Sequence, residues 1–201
     1  MTNGKRNTKD RKQQIVDATL KCIVDLGYSN VTMQTISTYS GLSKGAIHHY
    51  FKTKEDILLS AFRELDLKLY RSVDSKLKGT KDIKELLSKR IEGPFELVKT
   101  DQPLFICLTE FLTISDKKIE YQEAIKRFFN KYRKLIGWGF ETGIKEGIYR
   151  EVNLSLISSI MLALLFGLEI QWRVDKKAFD IDGIVKMITE MFFQFVERAE
   201  P

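Results

Sequence analysis

Along most of the chain, apolar residues recur at three- and four-residue spacing, the signature of helices with one buried side. Only three prolines and twelve glycines interrupt it. The expectation is an all-α protein of about nine helices. The first spans Thr8 to Leu26, with Ile15, Ala18, Thr19, Cys22, Ile23 and Leu26 as its apolar stripe and Gly27 at its end. Thr32 is placed to cap a short helix through Tyr39, and Gly41 breaks the chain. Ser43 then caps a third helix on which Ile47 and Phe51 form the buried side, leaving Gly45, His48 and His49 pointing away from it. Two short helices joined through a glycine-containing turn make a helix-turn-helix.

Thr53 and Asp56 form a capping box that opens a long fourth helix to about Leu77. Thr80 is expected to cap a fifth through Val98, bent or divided at Gly93 and Pro94. Pro103 suits the first turn of a sixth, Leu104 to Ile114. Asp116 is expected to open a seventh reaching about Glu146, with Gly147 at its end. The last two cover about Leu154 to Val174 and Ile181 to Arg198.

At 201 residues, 43% apolar and 30% charged, the chain has ordinary globular composition, enough for one sizeable core or two small ones. Cys22 and Cys107 lie inside apolar runs and read as buried, reduced thiols of a cytoplasmic protein. The polar, basic start MTNGKRNTKDRK has no apolar stretch behind it, unlike a secretory signal. Val152 to Leu168 is uncharged and mostly apolar, but contains Asn153 and three serines and is closely followed by Glu169 and Arg173. It reads as a helix buried in protein, with no membrane partner.

The net charge of +6 sits at one end. Residues 1–54 hold nine Lys or Arg against three Asp, whereas residues 55–201 are balanced at 24 of each sign. A basic head on a neutral body is the distribution of a protein whose first part meets a polyanion.

The stretch GLSKGAIHHYFKTKEDIL carries the chemistry. Adjacent histidines on a helix diverge by about 100° and cannot share a metal ion. His48 and His49 are the chain's two histidines, so no metal site is expected. No nucleophile elbow, phosphate-cradling glycine loop or paired-carboxylate motif appears, which makes an enzyme the weakest class and calls for no cofactor. Double-stranded DNA suits every residue. The helix start at Ser43 offers donors to a phosphate, Gly45 permits close approach, and Lys44 reaches a base edge or phosphate. His48, His49 and Tyr50 are flat polar side chains, and Lys52 and Lys54 add cations at the rim.

With DLGYSNVTMQTIS before it, this run resembles the N-terminal domain of the TetR family of bacterial transcriptional regulators over residues 10 to 58. The shared pattern is G-hydrophobic-S/T-x-x-x-hydrophobic-Y/H-x-Y/H-F-x-x-K-x-x-L. The resemblance implies that Gln34 and Lys44 read base edges with Ala46 close by. It also implies that Ser43, His48, His49, Tyr50 and Lys54 lie near phosphates; Thr32, Gly45 and Lys52 complete the expected surface. His48 stands where the family often has tyrosine, and Ser37 and Ser40 where it often has alanine.

The resemblance further implies a DNA-binding domain over residues 1–53 and an effector-binding and dimerisation domain over 54–201. An effector would sit among the fourth to seventh helices, and the last two would form a homodimer; the eleven phenylalanines from Phe95 to Phe195, with Trp138 and Trp172, suit a small, apolar or aromatic effector. The expected pocket residues are Phe105, Thr109, Glu110, Trp138, Phe166 and Gln171. The expected dimer residues are Ile157, Met161, Leu164, Leu168, Ile184, Ile188, Met191 and Phe195. The resulting expectation is a ligand-released repressor on a palindromic operator. The alternative is a DNA-binding module that is constitutive or controlled by a protein partner.

Overall fold

The computed structural model describes residues 2–114 and 118–197, with side chains from Thr8 onward. Among these residues there are nine α-helices, one 3₁₀ turn at Tyr28–Asn30 and a single β-bridge between Tyr149 and Glu197. The helices are α1 (Thr2–Leu26), α2 (Met33–Ser40), α3 (Lys44–Tyr50), α4 (Lys54–Leu77) and α5 (Ile83–Thr100). They continue as α6 (Gln102–Thr113), α7 (Ile119–Lys145), α8 (Leu154–Val174) and α9 (Ile181–Val196). Asp116 and Arg198, expected at helix ends, lie outside the described residues.

Contacts divide the chain into two compact units, residues 1–68 with 103–125, and residues 69–102 with 126–201. The division therefore does not follow a single cut after residue 53, because α6 and the start of α7 pack with the first helices. In the first unit Ile15, Val16, Ala18, Thr19, Cys22 and Ile23 bury one side of α1. Leu26, expected in that stripe, is 38% exposed, since it falls on the last turn where the buried side runs out. Ile36 of α2, Ile47 of α3, Ala61 of α4, and Phe105 and Phe111 of α6 are likewise fully buried.

In the second unit the later turns of α4, most of α7, and α5, α8 and α9 contribute the core. The cap of α5 is Asp82 rather than Thr80: its Oδ1 accepts the Glu85 N–H at 2.7 Å. Thr80 is instead held in the turn after Leu77, where its Oγ1 accepts from Lys89 Nζ at 2.9 Å. α5 runs continuously through Gly93 and Pro94 instead of dividing. Pro94 has no N–H for the Arg90 carbonyl, so the helical ladder is one bond short there. Beyond α7, Tyr149 is fully buried with its ring against Gly143. A Cβ at Gly143 would lie 2.2 Å from that ring, which is why the position needs glycine.

Candidate nucleic-acid interface and apolar cavity

Local hydrogen bonds build the reading head. Thr35 N–H donates to Thr32 Oγ1 at 3.1 Å while Thr32 N–H donates to Thr35 Oγ1 at 2.8 Å, a reciprocal box that starts α2. Gly41 ends α2 in the left-handed region at φ 68°, where a side chain would strain the backbone. Ser37 Oγ donates to the Leu42 carbonyl at 2.6 Å, and Ser40 Oγ accepts the Leu42 N–H at 3.3 Å. The two serines at positions where the family often has alanine thus pin the turn between α2 and α3. Ser43 Oγ accepts the Ala46 N–H at 3.2 Å and starts α3, whose Ile47 is fully buried.

That anchorage leaves Lys44, Gly45, His48 and His49 exposed on the opposite side of α3, with Ala46 and Tyr50 half-buried. The His49 and Tyr50 rings meet edge to face at 5.0 Å. Thr32 and Gln34, at the start of α2, are exposed, as are Ser43 and Lys52. Lys54 differs from the rest. It is half-buried, its Nζ donates to the Val31 carbonyl at 3.0 Å, and it lies 5.7 Å from the Tyr28 ring, so it clasps the turn before α2 to the start of α4. Asp56 N–H donates to Thr53 Oγ1 at 3.1 Å and Thr53 N–H to Asp56 Oδ2 at 3.0 Å, the capping box read from the sequence.

Other members of the first unit hold this head. Glu110 Oε2 accepts the Tyr28 N–H at 3.1 Å, closing the 3₁₀ turn from a helix 82 residues away. Lys118 pairs with Glu55 at 2.6 Å and holds that carboxyl below the usual carboxylate range. Phe105 is fully buried, and Thr109 Oγ1 donates to the carbonyls of Phe105 and Ile106 within α6. These three expected pocket residues therefore serve the first unit's packing. Among the described residues no group of three or more His, Cys, Asp or Glu is placed to hold a metal ion.

The second unit contains an apolar cavity of about 60 Å³. Its walls come from α4 (Tyr70, Val73, Asp74), α5 (Arg90, Pro94, Phe95), α7 (Phe128, Tyr132), α8 (Phe166) and α9 (Phe192). Phe166 is the one expected pocket residue on it. Trp138 stands outside, 48% exposed, with the Arg90 guanidinium 5.6 Å from its ring, and Gln171 is exposed and bonded to its own helix at the Gly167 carbonyl.

A second concavity of about 640 Å³ lies between α8 and α9 and includes Leu156, Ile160, Leu164, Met191 and Phe195. Of the expected dimer residues, Met191 and Phe195 are 60% and 53% exposed, and Leu164 and Ile184 are half-buried. Ile157, Met161, Leu168 and Ile188 are buried in their own unit. The exposed apolar side of α8 is instead Leu156, Ile160, Ile170 and Val174. α8 is also the one described helix long and apolar enough to cross a bilayer.

Two family models together cover residues 15–194. Residues 15–61 match bacterial regulatory proteins of the tetR family, and residues 62–194 match the C-terminal region of YsiA-like proteins. The chain belongs to the TetR family of bacterial transcriptional regulators. Among its relatives is the fatty acid metabolism regulator protein of Bacillus subtilis, 24% identical over 92% of this chain and 95% of that one. A regulator from Saccharomonospora viridis, solved with choline, shares the fold at a TM-score of 0.84 and 21% identity, covering 95% of this chain and all of that one. FadR of Bacillus subtilis, solved with stearoyl-CoA, does so at 0.76 and 24%, covering 89% and 96%. This TetR-family chain is thus a helix-turn-helix DNA-binding regulator.

Periodicity gave no sign of the regulator's cavity residues Tyr70, Asp74 and Arg90. They lie on long, mixed-polarity helices whose partners are distant in sequence. Tyr70 and Asp74, seven and three residues before buried Leu77, and Arg90, three after buried Leu87, share a helix face with core residues, and that spacing is the one signal the sequence holds.

Proposed function

We propose that the protein is a cytoplasmic, homodimeric, ligand-released repressor that binds a roughly palindromic operator through two helix-turn-helix heads. Residues 1–53 hold the DNA-reading surface, and the effector and dimer sites lie in residues 54–201. The observation that carries this reading is α3: one buried anchor, Ile47, and an exposed side of Lys44, Gly45, His48 and His49. Lys44 and Gln34 read base edges; Ser43, His48, His49, Tyr50 and Lys52 meet phosphates. Such contacts set register and sequence preference separately. Half-sites then lie about 34 Å apart or a multiple of it.

Pairing is supported by the exposed apolar sides of α8 and α9, where Leu156, Ile160, Val174, Met187 and Met191 are each more than half exposed. Contiguous apolar surface of that kind marks an interaction site, and a two-fold contact covers it with its own copy.

Cavity size supports ligand control. A cavity of about 60 Å³ is under half of the roughly 150 Å³ that takes up benzene in an engineered core. An effector of that size or larger enters only by displacing the walls, and a ligand that binds only the displaced state shifts the equilibrium. α4 supplies Tyr70, Val73 and Asp74 to the wall and begins at the Thr53–Asp56 box beside α3. A coupling of about 1 to 3 kcal/mol suffices. If the walls hold instead, a second reading applies, a DNA-binding module governed by a protein partner or always on.

The experiment is retention of genomic DNA fragments by the purified protein with and without a metabolite pool. Defined fragments retained alone and released by metabolites support the first reading. Retention that no metabolite changes supports the second, and no fragment preference rejects both.

A further inference from the structure

The cavity is not uniformly greasy. Arg90 lies on its wall, half-buried, with the Nε atom buried and without a hydrogen-bond acceptor. A buried guanidinium donor left unpaired is costly, and such groups in native structures call for a missing partner. The guanidinium carbon stands over the Trp138 ring, 5.6 Å from its centroid, and the N–H groups at the guanidinium edge are the part that grips an oxyanion in the plane of the fork. Burial pushes the guanidinium below its ordinary value, with Asp74 and Tyr70 opposing through space, yet arginine stays charged at neutral pH.

Two further charged groups stand near it. Lys131 Nζ sits 5.2 Å from the Tyr70 ring and 4.6 Å from the Tyr132 ring, both cavity residues. Asp74 is the single carboxylate on the wall. Around them lies an interior of Phe95, Phe128, Phe166 and Phe192, so the wall sets one fork of N–H donors beside an apolar chamber. Pro94, one turn after Arg90 on the same wall, leaves the Arg90 carbonyl without its helical donor, so the ladder is weakest where the wall has to move.

We propose that the cavity takes an amphipathic acid, an apolar body bearing one anionic head group, and that Arg90 is the specificity-determining residue that reads the head. This rests on the cavity being the effector site. The body displaces the phenylalanines, and the carboxylate or phosphate accepts from the Arg90 fork at the rim. Trp138 positions the guanidinium from outside and reports its occupancy.

The test uses the full-length Trp172→Phe protein, in which Trp138 is the one remaining indole. Its emission is titrated with decanoate, decyl phosphate, decanol and decyltrimethylammonium. Decanoate or decyl phosphate should bind at least about tenfold tighter than decanol, the size of a charge-assisted hydrogen bond, and the tighter of the two names the head. The cationic probe should bind weakest. Adding Arg90→Gln should cost the anions about tenfold or more while decanol stays within about twofold, and Asp74→Asn should tighten the anions.

Unliganded Arg90→Gln should melt no lower than its parent, because an unpaired desolvated charge has gone. A lower melting temperature would make Arg90 a structural residue and overturn the proposal, as would decanol binding as tightly as decanoate. The latter leaves the effector cavity itself standing. Binding by none of the four overturns both, whereas anion binding through Arg90 that leaves DNA retention unchanged overturns only the regulatory reading.

Discussion

α3 and α8 are both half-exposed helices, and they expose opposite things. α3 is seven residues long, anchored by Ile47, and shows solvent a lysine, a glycine and two histidines. α8 is 21 residues long and shows Leu156, Ile160, Ile170 and Val174 while burying an equally apolar side. A polar exposed side is at rest in water and is spent on a polar partner such as the phosphate-lined groove of a duplex. An apolar one is not at rest until another apolar surface covers it. The contrast suits the two helices to different partners, which in the proposed function are DNA and a second copy of the chain.

The sharpest way to break that comparison is to make α8 resemble α3. Leu156→Glu with Ile160→Glu should give a monomer by sedimentation velocity and weaken operator binding by about 100-fold or more, since buried unpaired charges oppose pairing by several kcal/mol. A dimer that persists would move the interface elsewhere. Next is Lys44→Ala, with about 1 to 3 kcal/mol lost in titrations against the operator and the loss concentrated at particular base pairs. Lys52→Ala, by contrast, should weaken all sequences alike and lower the salt slope by about 0.9. Equal losses on every sequence from both would remove Lys44 from base reading.

Thr32→Ala comes third. It removes the reciprocal box at the start of α2, about 1 kcal/mol of stability in a urea melt, with the dimer intact. The smallest effect is on α8 itself. Glu169 is 1% exposed; burial raises it above the ordinary 4.5, opposed by its ion pair with Arg173 at 2.8 Å. The folded chain therefore holds that proton to higher pH than the unfolded chain. Stability contributed by the group falls as pH rises from 4.5 through the raised value and stays low above it. Glu169→Gln should flatten that slope in urea midpoints measured against pH and raise stability at neutral pH. An unchanged slope would show that Glu169 does not carry it.

The same contrast explains what was legible in the sequence. The head's elements were readable because their signals are local: Thr32, Ser43 and the Thr53–Asp56 pair cap helices within three residues, and Gly41 takes the one backbone conformation that favours it. Where two caps competed, at Thr80 and Asp82, Asp82 won by standing three residues before Glu85. On α8 every turn is apolar, so spacing marks a helix but not its rotation. Each residue turns the axis about 100°, and a one-residue difference exchanges Ile157 and Met161 for Leu156 and Ile160. Glu110 was unreadable for another reason: its partner, the Tyr28 N–H, is 82 residues away. Arg90 was unreadable likewise, because the groups around it, Tyr70 and Asp74 on α4 and Trp138 on α7, are distant in sequence.

Whether paired apolar helices hold two polar heads at a fixed spacing is decided by footprinting a retained DNA fragment at low salt while measuring the mass of the complex. The expected result is two protein chains per site and two related protected stretches arranged about a dyad, their centres about 34 Å or a multiple apart. A single chain protecting one stretch with no sequence preference would contradict it.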